Sequence, residues 1–232
     1  MDSYQFNIAQ LATVANALGE LLPQVTFVGG CTTALLVDQS AYFGVRQTKD
    51  VDVIVDVATY VGYQKFCRQL RARDFAEDVN GPNCRWLLHG AFATIQLDVM
   101  SPAEKVLGFT NRWYPEAIQN SAQYLLEHDL PIAVVSPVYF LATKFEAFAN
   151  RGNGDYFSHD MEDIVFVLEN RSGVLREILD APEELKDYLA MRMGELINDD
   201  FLNVLPGILN SSEAASDIEN MLWIVSGRPW GE

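Results

Sequence analysis

The sequence predicts an α+β (mixed α/β) fold, in which a domain with a mixed sheet, residues 1–135, precedes an all-helical domain, residues 136–232. Two observations predict this fold. Up to about residue 135, segments with apolar residues at helical spacing alternate with short strands rich in β-branched residues. Beyond that point the periodic segments have helical spacing, and turn residues separate them. A chain of 232 residues, 49% of them hydrophobic, can bury the core of one large or two small domains.

Each element of the sheet domain is predicted from its own local pattern. Apolar residues recur at helical spacing from residue 7 to residue 21 and stop near Pro23, which is typical of an amphipathic helix. Short runs of Val, Ile and aromatic residues between turn residues predict the strands. In chain order, the predicted elements are a helix at 7–21, a strand at Val25–Val28, a helix from Thr32, loop or short strand at 39–49, the central strand at Asp50–Asp56, a helix at Thr59–Arg73, and strands at Cys84–Leu88, Phe92–Val99 and Ile132–Val135.

In the helical domain, capping residues and helix breakers mark the predicted helix ends. Ser136-Pro137 is typical of a helix start, and Arg151-Gly152-Asn153-Gly154 predicts a break. The predicted helices are one from Pro137 to about Asn150, one at Ser158–Asn170, and further helices that start near Asp180 and Ser212, break at Pro206-Gly207 and stop at Gly227.

The charge distribution argues against an extended nucleic-acid surface. The net charge is -16, and residues 152–232 hold 17 acidic but only 5 basic side chains. Binding to a phosphate backbone depends on clustered Lys and Arg. Five basic residues of the first domain form a basic cluster, which either faces a phosphate-bearing partner or is the solvated face of a helix. They are Lys65, Arg68, Arg71, Arg73 and Arg85.

The sequence predicts a cytoplasmic protein with no membrane partner. No apolar run reaches the ~18 residues that cross a bilayer, and the amino-terminal residues lack the basic and apolar stretches of a signal peptide. The cysteines, Cys31, Cys67 and Cys84, are odd in number and widely spaced, which predicts buried free thiols rather than a zinc site.

The pentapeptide Asp50-Val-Asp52-Val-Ile alternates acidic and apolar residues on the central strand. Side chains at i and i+2 of a strand share one face, roughly 6.5 to 7 Å apart, so Asp50 and Asp52 project together. Two carboxylates about 5 Å apart repel each other by roughly 3 kcal/mol at an effective dielectric near 20. In a later strand, Asp98 lies on the polar face, because Thr94, Gln96 and Asp98 alternate with apolar residues, and it can supply a third acid. Divalent cations would convert this repulsion into binding energy.

The order of these residues resembles the AbiEii/AbiGii toxin-type nucleotidyltransferase family of the polymerase β superfamily. The resemblance covers the chain from about residue 20 to about residue 170. It implies a polymerase-β-like core with a mixed sheet flanked by helices, followed by a helical domain that closes the nucleotide cleft. The matching residues are Gly29-Gly30, Arg46-x-Thr48-x-Asp50-x-Asp52, Asp98, Leu141-Ala-Thr-Lys144, Arg151-Gly152 and Asp160-Met-Glu-Asp163.

The resemblance implies a metal-dependent nucleotidyltransferase, which moves a nucleoside monophosphate from an NTP to an acceptor hydroxyl and releases pyrophosphate. Asp50 and Asp52 would bridge two Mg²⁺ ions, whose charge stabilises the attacking and leaving oxygens. Asp98 would complete the second metal site and help to deprotonate the acceptor.

The resemblance also implies contacts to the triphosphate near the acid pair. Gly29 and Gly30 would let backbone amides approach the phosphates, although an ordinary strand-to-helix turn is the alternative. Thr32 is expected to replace the serine that is common in this superfamily. Arg46 and Thr48 fit the Arg-x-Thr motif that precedes the acid pair in the family; alternatively, they are loop residues without a functional role.

Two residues of the helical domain complete the implied site. Lys144 matches a helix lysine that would contact the triphosphate; a solvated helix lysine is the alternative. Asp160 matches the first acid of an Asp-x-x-Asp segment that ends at Asp163. Either acid could instead position Lys144 or Arg151, or cap the helix.

The implied partners are a nucleoside triphosphate, an acceptor and an antitoxin protein. The acceptor is a transfer RNA by analogy with toxin-antitoxin systems, or a protein or small molecule because the surface is acidic. The alternative function is a non-catalytic nucleotide-binding or interaction protein that keeps the nucleotidyltransferase scaffold.

Overall fold

Helices and strands alternate along the first part of this computed structural model, which describes residues 2–90, 93–152, 154–209 and 212–228. The strands are β1 (Val25–Val28), β2 (Asp50–Val55), β3 (Phe75–Glu77), β4 (Arg85–His89), β5 (Thr94–Met100), β6 (Ala122–Leu126) and β7 (Leu130–Val134). The helices of this part are α1 (Ser3–Leu18), α2 (Thr33–Leu36), α3 (Tyr60–Arg71), α4 (Glu104–Leu107) and α5 (Tyr114–Gln119).

All seven of these strands belong to one mixed sheet, in the order β3-β4-β5-β2-β1-β7-β6. The pairs β2–β5 and β1–β7 are parallel, and the other neighbours are antiparallel. β1 is buried along its whole length, as expected for a central apolar strand. The mixed sheet with its flanking helices, followed by helices alone, confirms the predicted fold class.

The chain divides into two compact units. The first consists of the chain up to Leu35 together with Ser40–Ser136. The second consists of Leu36–Gln39 together with the chain from Pro137 onward. Among the described helices, none combines the length and the apolar composition that crossing a bilayer requires.

The second unit is helical. Its helices are α6 (Pro137–Arg151), α7 (His159–Asn170), α8 (Val174–Leu179), α9 (Glu183–Glu195), α10 (Asp199–Ile208) and α11 (Ser212–Ser226). The segment Leu36–Gln39 joins it through hydrogen bonds: the Asp38 amide donates to the Asn170 carbonyl at 2.9 Å, and Arg171 donates to the Leu36 carbonyl at 2.7 Å. The predicted break at Pro206 is wrong, because α10 continues through this proline to Ile208.

The opening helix starts earlier than its apolar spacing predicts. Asp2 caps α1 by accepting a hydrogen bond from the Gln5 amide, while the Gln5 side chain accepts one from the Asp2 amide. This capping box adds a polar first turn that carries no apolar signal. The helix ends at Gly19, whose φ of 52° places it outside the helical region, and a 3₁₀ helix at Gly19–Gln24 leads into β1.

Three other predictions in the sheet unit need correction. The helix expected from Thr32 is short: a 3₁₀ turn at Gly30–Thr32 is followed by the four residues of α2. The segment 39–49, predicted as loop or short strand, contains a 3₁₀ helix at Gln39–Gly44. β3 and β6 were not predicted. The predicted start of β5 at Phe92, like Asn153 of the loop after α6, lies outside the described residues.

Candidate metal centre

Two neighbouring strands present three aspartates on one face of the sheet. Asp50 and Asp52 lie in β2 and Asp98 in β5, and the parallel register pairs Asp52 with Asp98. One carboxylate oxygen from each residue lies within 4.8 Å of the other two. Alternation along a strand produces this arrangement, because the fully buried Val51 and Val53 take the opposite face. We refer to Asp50, Asp52 and Asp98 as the acid triad.

The members of the triad differ in their exposure to solvent. Asp98 is buried, with 8% of its surface exposed, whereas Asp50 and Asp52 are half-buried. A cavity of about 450 Å³ lies at the start of β2, lined by residues of α1 and β5 and by Thr48 and Lys49. Its lining includes Gln96, the register partner of Asp50. The exposed side of the triad is therefore the side of Asp50 and Asp52.

Gly29 gives Asp52 the space that its side chain occupies. A Cβ atom at position 29 would lie 1.9 Å from Asp52 Oδ2 and 2.6 Å from Asp52 Cγ. Gly29 also has a φ of 73° with a ψ of -176°, a combination that side chains exclude. The sequence implied that this glycine admits a triphosphate; in this structure its missing side chain admits a carboxylate.

The turn after Gly29 is closed by Thr32. The Thr32 hydroxyl donates to the Gly29 carbonyl at 2.8 Å, and the Thr32 amide approaches the same carbonyl at 3.1 Å. Thr32 is fully buried, so its side chain holds the turn from within. The neighbouring Thr33 hydroxyl is buried and has no hydrogen-bond partner among the described residues.

Arg85 supplies a positive charge to this site. It lies in β4 directly opposite Asp98 in the antiparallel register. Its Nε donates to Asp98 Oδ1 at 2.8 Å, and its Nη2 donates to Asp98 Oδ2 at 2.7 Å. The same Nη2 lies 3.5 Å from Asp50 Oδ2. The hydrogen bonds to Asp98 outweigh desolvation and raise the pKa of the Arg85 guanidinium, which therefore stays charged.

Other members of the basic cluster are also paired with acids. Arg71 forms an ion pair with Glu77, and Arg73 forms one with Glu20 at 3.3 Å. Together with Arg85, three of the five basic residues therefore have acidic partners. These pairs reduce the positive charge that the basic cluster offers to a phosphate-bearing partner.

The segment that contains Arg46 and Thr48 is held by polar side chains of α1. Asn7 donates to the Arg46 carbonyl at 2.9 Å and accepts from the Thr48 amide at 3.1 Å. Gln10 donates to the Thr48 carbonyl at 3.0 Å. These three bonds fix the backbone just before Asp50, so α1 positions the start of β2.

Lys144 and Asp160 belong to a buried charge cluster in the helical unit. Lys144 Nζ lies 3.0 Å from Asp160 Oδ1 and 2.8 Å from Asp163 Oδ2. The exposed Arg151 donates through Nε and Nη2 to both oxygens of Asp160, at 2.9 and 3.0 Å. This charge cluster, Lys144, Arg151, Asp160 and Asp163, ties α6 to α7.

The pKa values of this charge cluster follow from its ion pairs. Burial alone would lower the pKa of Lys144, but the charges of Asp163 and Asp160 outweigh it and raise the pKa. Burial alone would raise the pKa of Asp160, but the hydrogen bond from Arg151 and the charge of Lys144 lower it. Both groups are therefore held in their charged forms.

Sequence reasoning missed Asn7, Gln10 and the true position of Arg85. Asn7 and Gln10 are buried polar residues at i and i+3 on the apolar face of α1. Polar residues at these otherwise apolar positions were the signal that could have identified them. Arg85 lies two strands away from Asp50 in the sheet, and only the register reveals their proximity.

The residues of the triad fit a divalent cation. Three carboxylates supply the hard oxygen donors that Mg²⁺, Mn²⁺ and Ca²⁺ prefer, within the 4.8 Å that one ion can bridge. Because Gly29 has no side chain, the Asp52 carboxylate can occupy its position beside the other two acids. The triad could therefore hold a metal ion.

Comparison with known proteins indicates the type of scaffold. No family model matches the chain, and no curated protein sequence matches it. Among solved structures, the chain is similar to an antigenic nucleotidyltransferase-like protein from Paracoccidioides brasiliensis, with 17% sequence identity and a TM-score of 0.52. The match covers 92% of this chain and 98% of that chain. At this identity the likeness shows the fold, which is nucleotidyltransferase-like.

Proposed function

We propose that this chain, with its nucleotidyltransferase-like fold, is a metal-dependent nucleotidyltransferase. It would move a nucleoside monophosphate from an NTP to an acceptor hydroxyl. In this reaction the acceptor oxygen forms a bond to the α-phosphorus, the bond to the β-phosphate oxygen breaks, and pyrophosphate leaves. The observation that carries the proposal is the acid triad, whose carboxylates gather within 4.8 Å on this scaffold.

In the proposed reaction, Asp50 and Asp52, the half-buried members of the triad, would hold Mg²⁺. The ions would supply positive charge to the phosphates and to the attacking and leaving oxygens. Asp98 is proposed as the third ligand and as the group that takes the acceptor's proton. For either role, Asp98 must present an oxygen that Arg85 does not occupy.

The other contacts to the triphosphate stay predictions. Gly29, Gly30 and Thr32 form the turn beside Asp52, which supports a role for that backbone close to the ligand. Arg46 and Thr48 precede Asp50 and are held by α1. Lys144 and Asp160 are also predicted to contact the triphosphate. In the helical unit, Lys144 donates a hydrogen bond to Asp160.

The acceptor and the protein partner are proposed from the AbiEii/AbiGii resemblance. That resemblance favours a transfer RNA as acceptor and an antitoxin as partner. The net charge of -16 favours a protein or a small molecule over a nucleic acid, because the long-range field repels phosphate. An acceptor screen should therefore include all three classes.

A non-catalytic nucleotide-binding protein is the second candidate. The bidentate pairing of Arg85 with Asp98 favours it, because this pairing removes the third acid from metal binding. Such a protein would be stabilised against heat by an NTP with Mg²⁺ and would release no pyrophosphate. The enzyme would be stabilised in the same way and would also release pyrophosphate.

The test of the proposed reaction uses Asp52→Asn, which keeps the shape of the side chain and removes its charge. We expect transfer of label from an α-³²P-labelled NTP, and pyrophosphate release, to fall to background because the metal loses a bridging ligand. Asp56→Asn is the matched control, since Asp56 follows β2 and is exposed outside the triad. Transfer by Asp52→Asn at the rate of the unaltered chain would contradict the proposal.

A further inference from the structure

We propose that Arg85 is a built-in cation of the acid triad, which holds Asp98 and limits the triad to one divalent ion until the arginine moves away. This inference rests on the proposed metal site. It assigns to Arg85 a positioning role, exerted through Asp98.

The contacts of Arg85 match those of a cation that replaces a metal ion. Its guanidinium bonds both oxygens of Asp98, at 2.8 and 2.7 Å, and reaches Asp50 Oδ2 at 3.5 Å. It thus touches one acid from each of the two strands that build the triad. The fork of an arginine suits a carboxylate in this bidentate geometry, which a lysine cannot reproduce.

The charges of the site explain the limit of one ion. Arg85 already places one positive charge against Asp98, so a first divalent ion binds away from this acid. Asp50 and Asp52 are the half-buried, accessible members, so they are the ligands of that first ion. A second ion on Asp98 would lie next to the guanidinium, and the two like charges would repel each other. Release of Asp98 by Arg85 removes this obstacle.

An acid outside the triad also lies near Arg85. The turn between β3 and β4 contains Asp78 and Gly81. The position that a Gly81 Cβ would take is 2.5 Å from Asp78 Oδ2 and 3.2 Å from Arg85 Cδ. The Asp78 carboxylate therefore lies next to the Arg85 side chain, on the side of this turn. When Arg85 leaves Asp98, Asp78 is the partner that receives it.

The test counts Mn²⁺ ions bound to the full-length protein without nucleotide, by electron paramagnetic resonance of free Mn²⁺ and by calorimetry. We expect Arg85→Gln to bind one more ion than the unaltered chain and to bind the first ion roughly tenfold more tightly, because the competing charge is gone. Arg85→Lys keeps the charge without the fork, so it should bind the same number of ions as the unaltered chain.

A second variant keeps the proposal testable if Arg85→Gln does not fold. Asp78→Asn leaves the Arg85–Asp98 pair intact and removes the proposed acceptor of the released arginine. We expect its affinity for the first ion to be unchanged. The second ion, which the unaltered chain takes up only at high Mn²⁺ as Arg85 moves away, should need a roughly tenfold higher Mn²⁺ concentration still. Circular dichroism of each variant checks that its fold is retained.

The outcomes separate this inference from the proposed function. The role of Arg85 is overturned, and the metal site stands, if Arg85→Gln binds the same number of ions as the unaltered chain with the same affinity. The same follows if Asp78→Asn needs no more Mn²⁺ for the second ion than the unaltered chain. If neither the unaltered chain nor Arg85→Gln binds Mn²⁺, the metal site and the role of Arg85 both fail. Loss of all binding in Asp52→Asn ties the counted ions to the triad.

Discussion

The Asp52 carboxylate fills the space in which any other residue at position 29 would place its Cβ. The clash distance is 1.9 Å to an oxygen of a half-buried side chain, and the Gly29 backbone has a φ of 73°. Two independent constraints, space and backbone conformation, therefore require glycine here. Gly108, with a φ of 84° and a ψ of 2°, has the ordinary left-handed conformation and no clash, so it gives the lower bound of the backbone cost, and the response of Mn²⁺ binding reports the clash with Asp52.

We expect Gly29→Ala to destabilise the fold by more than the ~1–2 kcal/mol that a positive φ alone costs, and to weaken Mn²⁺ binding because Asp52 must move. Gly108→Ala is the matched control, since Gly108 has a φ of 84° and nothing lies within 4 Å of the position that its Cβ would take. Urea unfolding and Mn²⁺ titration of both variants check the prediction. Equal losses of stability, with unchanged Mn²⁺ affinity, would contradict it.

The acids of the site could be predicted from the sequence, but their cation could not. Asp50 and Asp52 are two residues apart in one strand, so the local alternation shows that they share a face. Asp98 follows the same rule within its own strand. The position of Arg85 depends on which strand pairs with β5 and in which register, and single-strand patterns carry neither fact. The sequence instead grouped Arg85 with a basic cluster that either faces a phosphate-bearing partner or is the solvated face of a helix.

Among the elements, the missed strands are those with weak alternation. β3 has only three residues, of which Phe75 alone is buried, and it lies at the edge of the sheet. β6 forms the other edge and is half exposed, so its apolar residues do not mark one face. A turn with positive φ at His128 and Asp129 connects it to β7. β2 and β5 were predicted because apolar and polar residues alternate in their sequences.

The pair of helices α6 and α7 depends on the charge cluster described above. We expect Lys144→Met to destabilise the protein by about 3–5 kcal/mol, because it leaves Asp163 buried without its lysine and Asp160 with Arg151 alone. Lys65→Met, at an exposed lysine of α3, is the control and should change stability by no more than ~0.5 kcal/mol. Chemical unfolding followed by circular dichroism measures both.

A combined variant distinguishes burial of charge from damage to packing. Lys144→Met together with Asp160→Asn and Asp163→Asn also removes the two carboxylate charges that Lys144 balances, so most of the lost stability should return. If Lys144→Met is as stable as Lys65→Met and only weakens nucleotide binding, Lys144 contacts the triphosphate as the sequence implied and does not hold α6 to α7.

At the scale of the whole molecule, several buried groups make the fold sensitive to alkali. Burial raises the pKa of the Cys31 thiol to about 12, of Cys67 to about 11 and of Cys84 to about 12. All three are free and buried, which confirms the prediction from their spacing. Burial also raises the pKa of the Tyr63 hydroxyl, which donates to the Val99 carbonyl.

Each of these groups keeps its proton more firmly in the folded chain than in the unfolded chain. The folded protein therefore binds more protons above the ordinary thiol pKa of 9.0, and its stability falls as the pH rises. We expect the urea midpoint to be constant between pH 7 and about pH 8.5 and to fall steadily up to about pH 11. The native thiols should also resist DTNB at pH 8, because a thiol with a pKa near 12 has about one part in ten thousand as thiolate.

The measurements are urea unfolding across this pH range and DTNB titration with and without denaturant. A midpoint that does not change up to pH 11, or rapid DTNB labelling of the folded chain, would show that the thiols are accessible. The net charge of -16 acts in the same direction, since ionisation adds further negative charge to a chain that already repels itself.

The short crossing segment Leu36–Gln39 has a practical meaning for anyone who wishes to study the halves separately. It follows α2, yet its hydrogen bonds go to Asn170, Arg171 and Ser172. A cut just before Pro137 would remove these four residues from the helical fragment, and with them the Leu36 carbonyl that accepts a hydrogen bond from Arg171 Nη1. A helical fragment that retains its native surface must therefore be supplied with this peptide, either fused through a linker or added in trans.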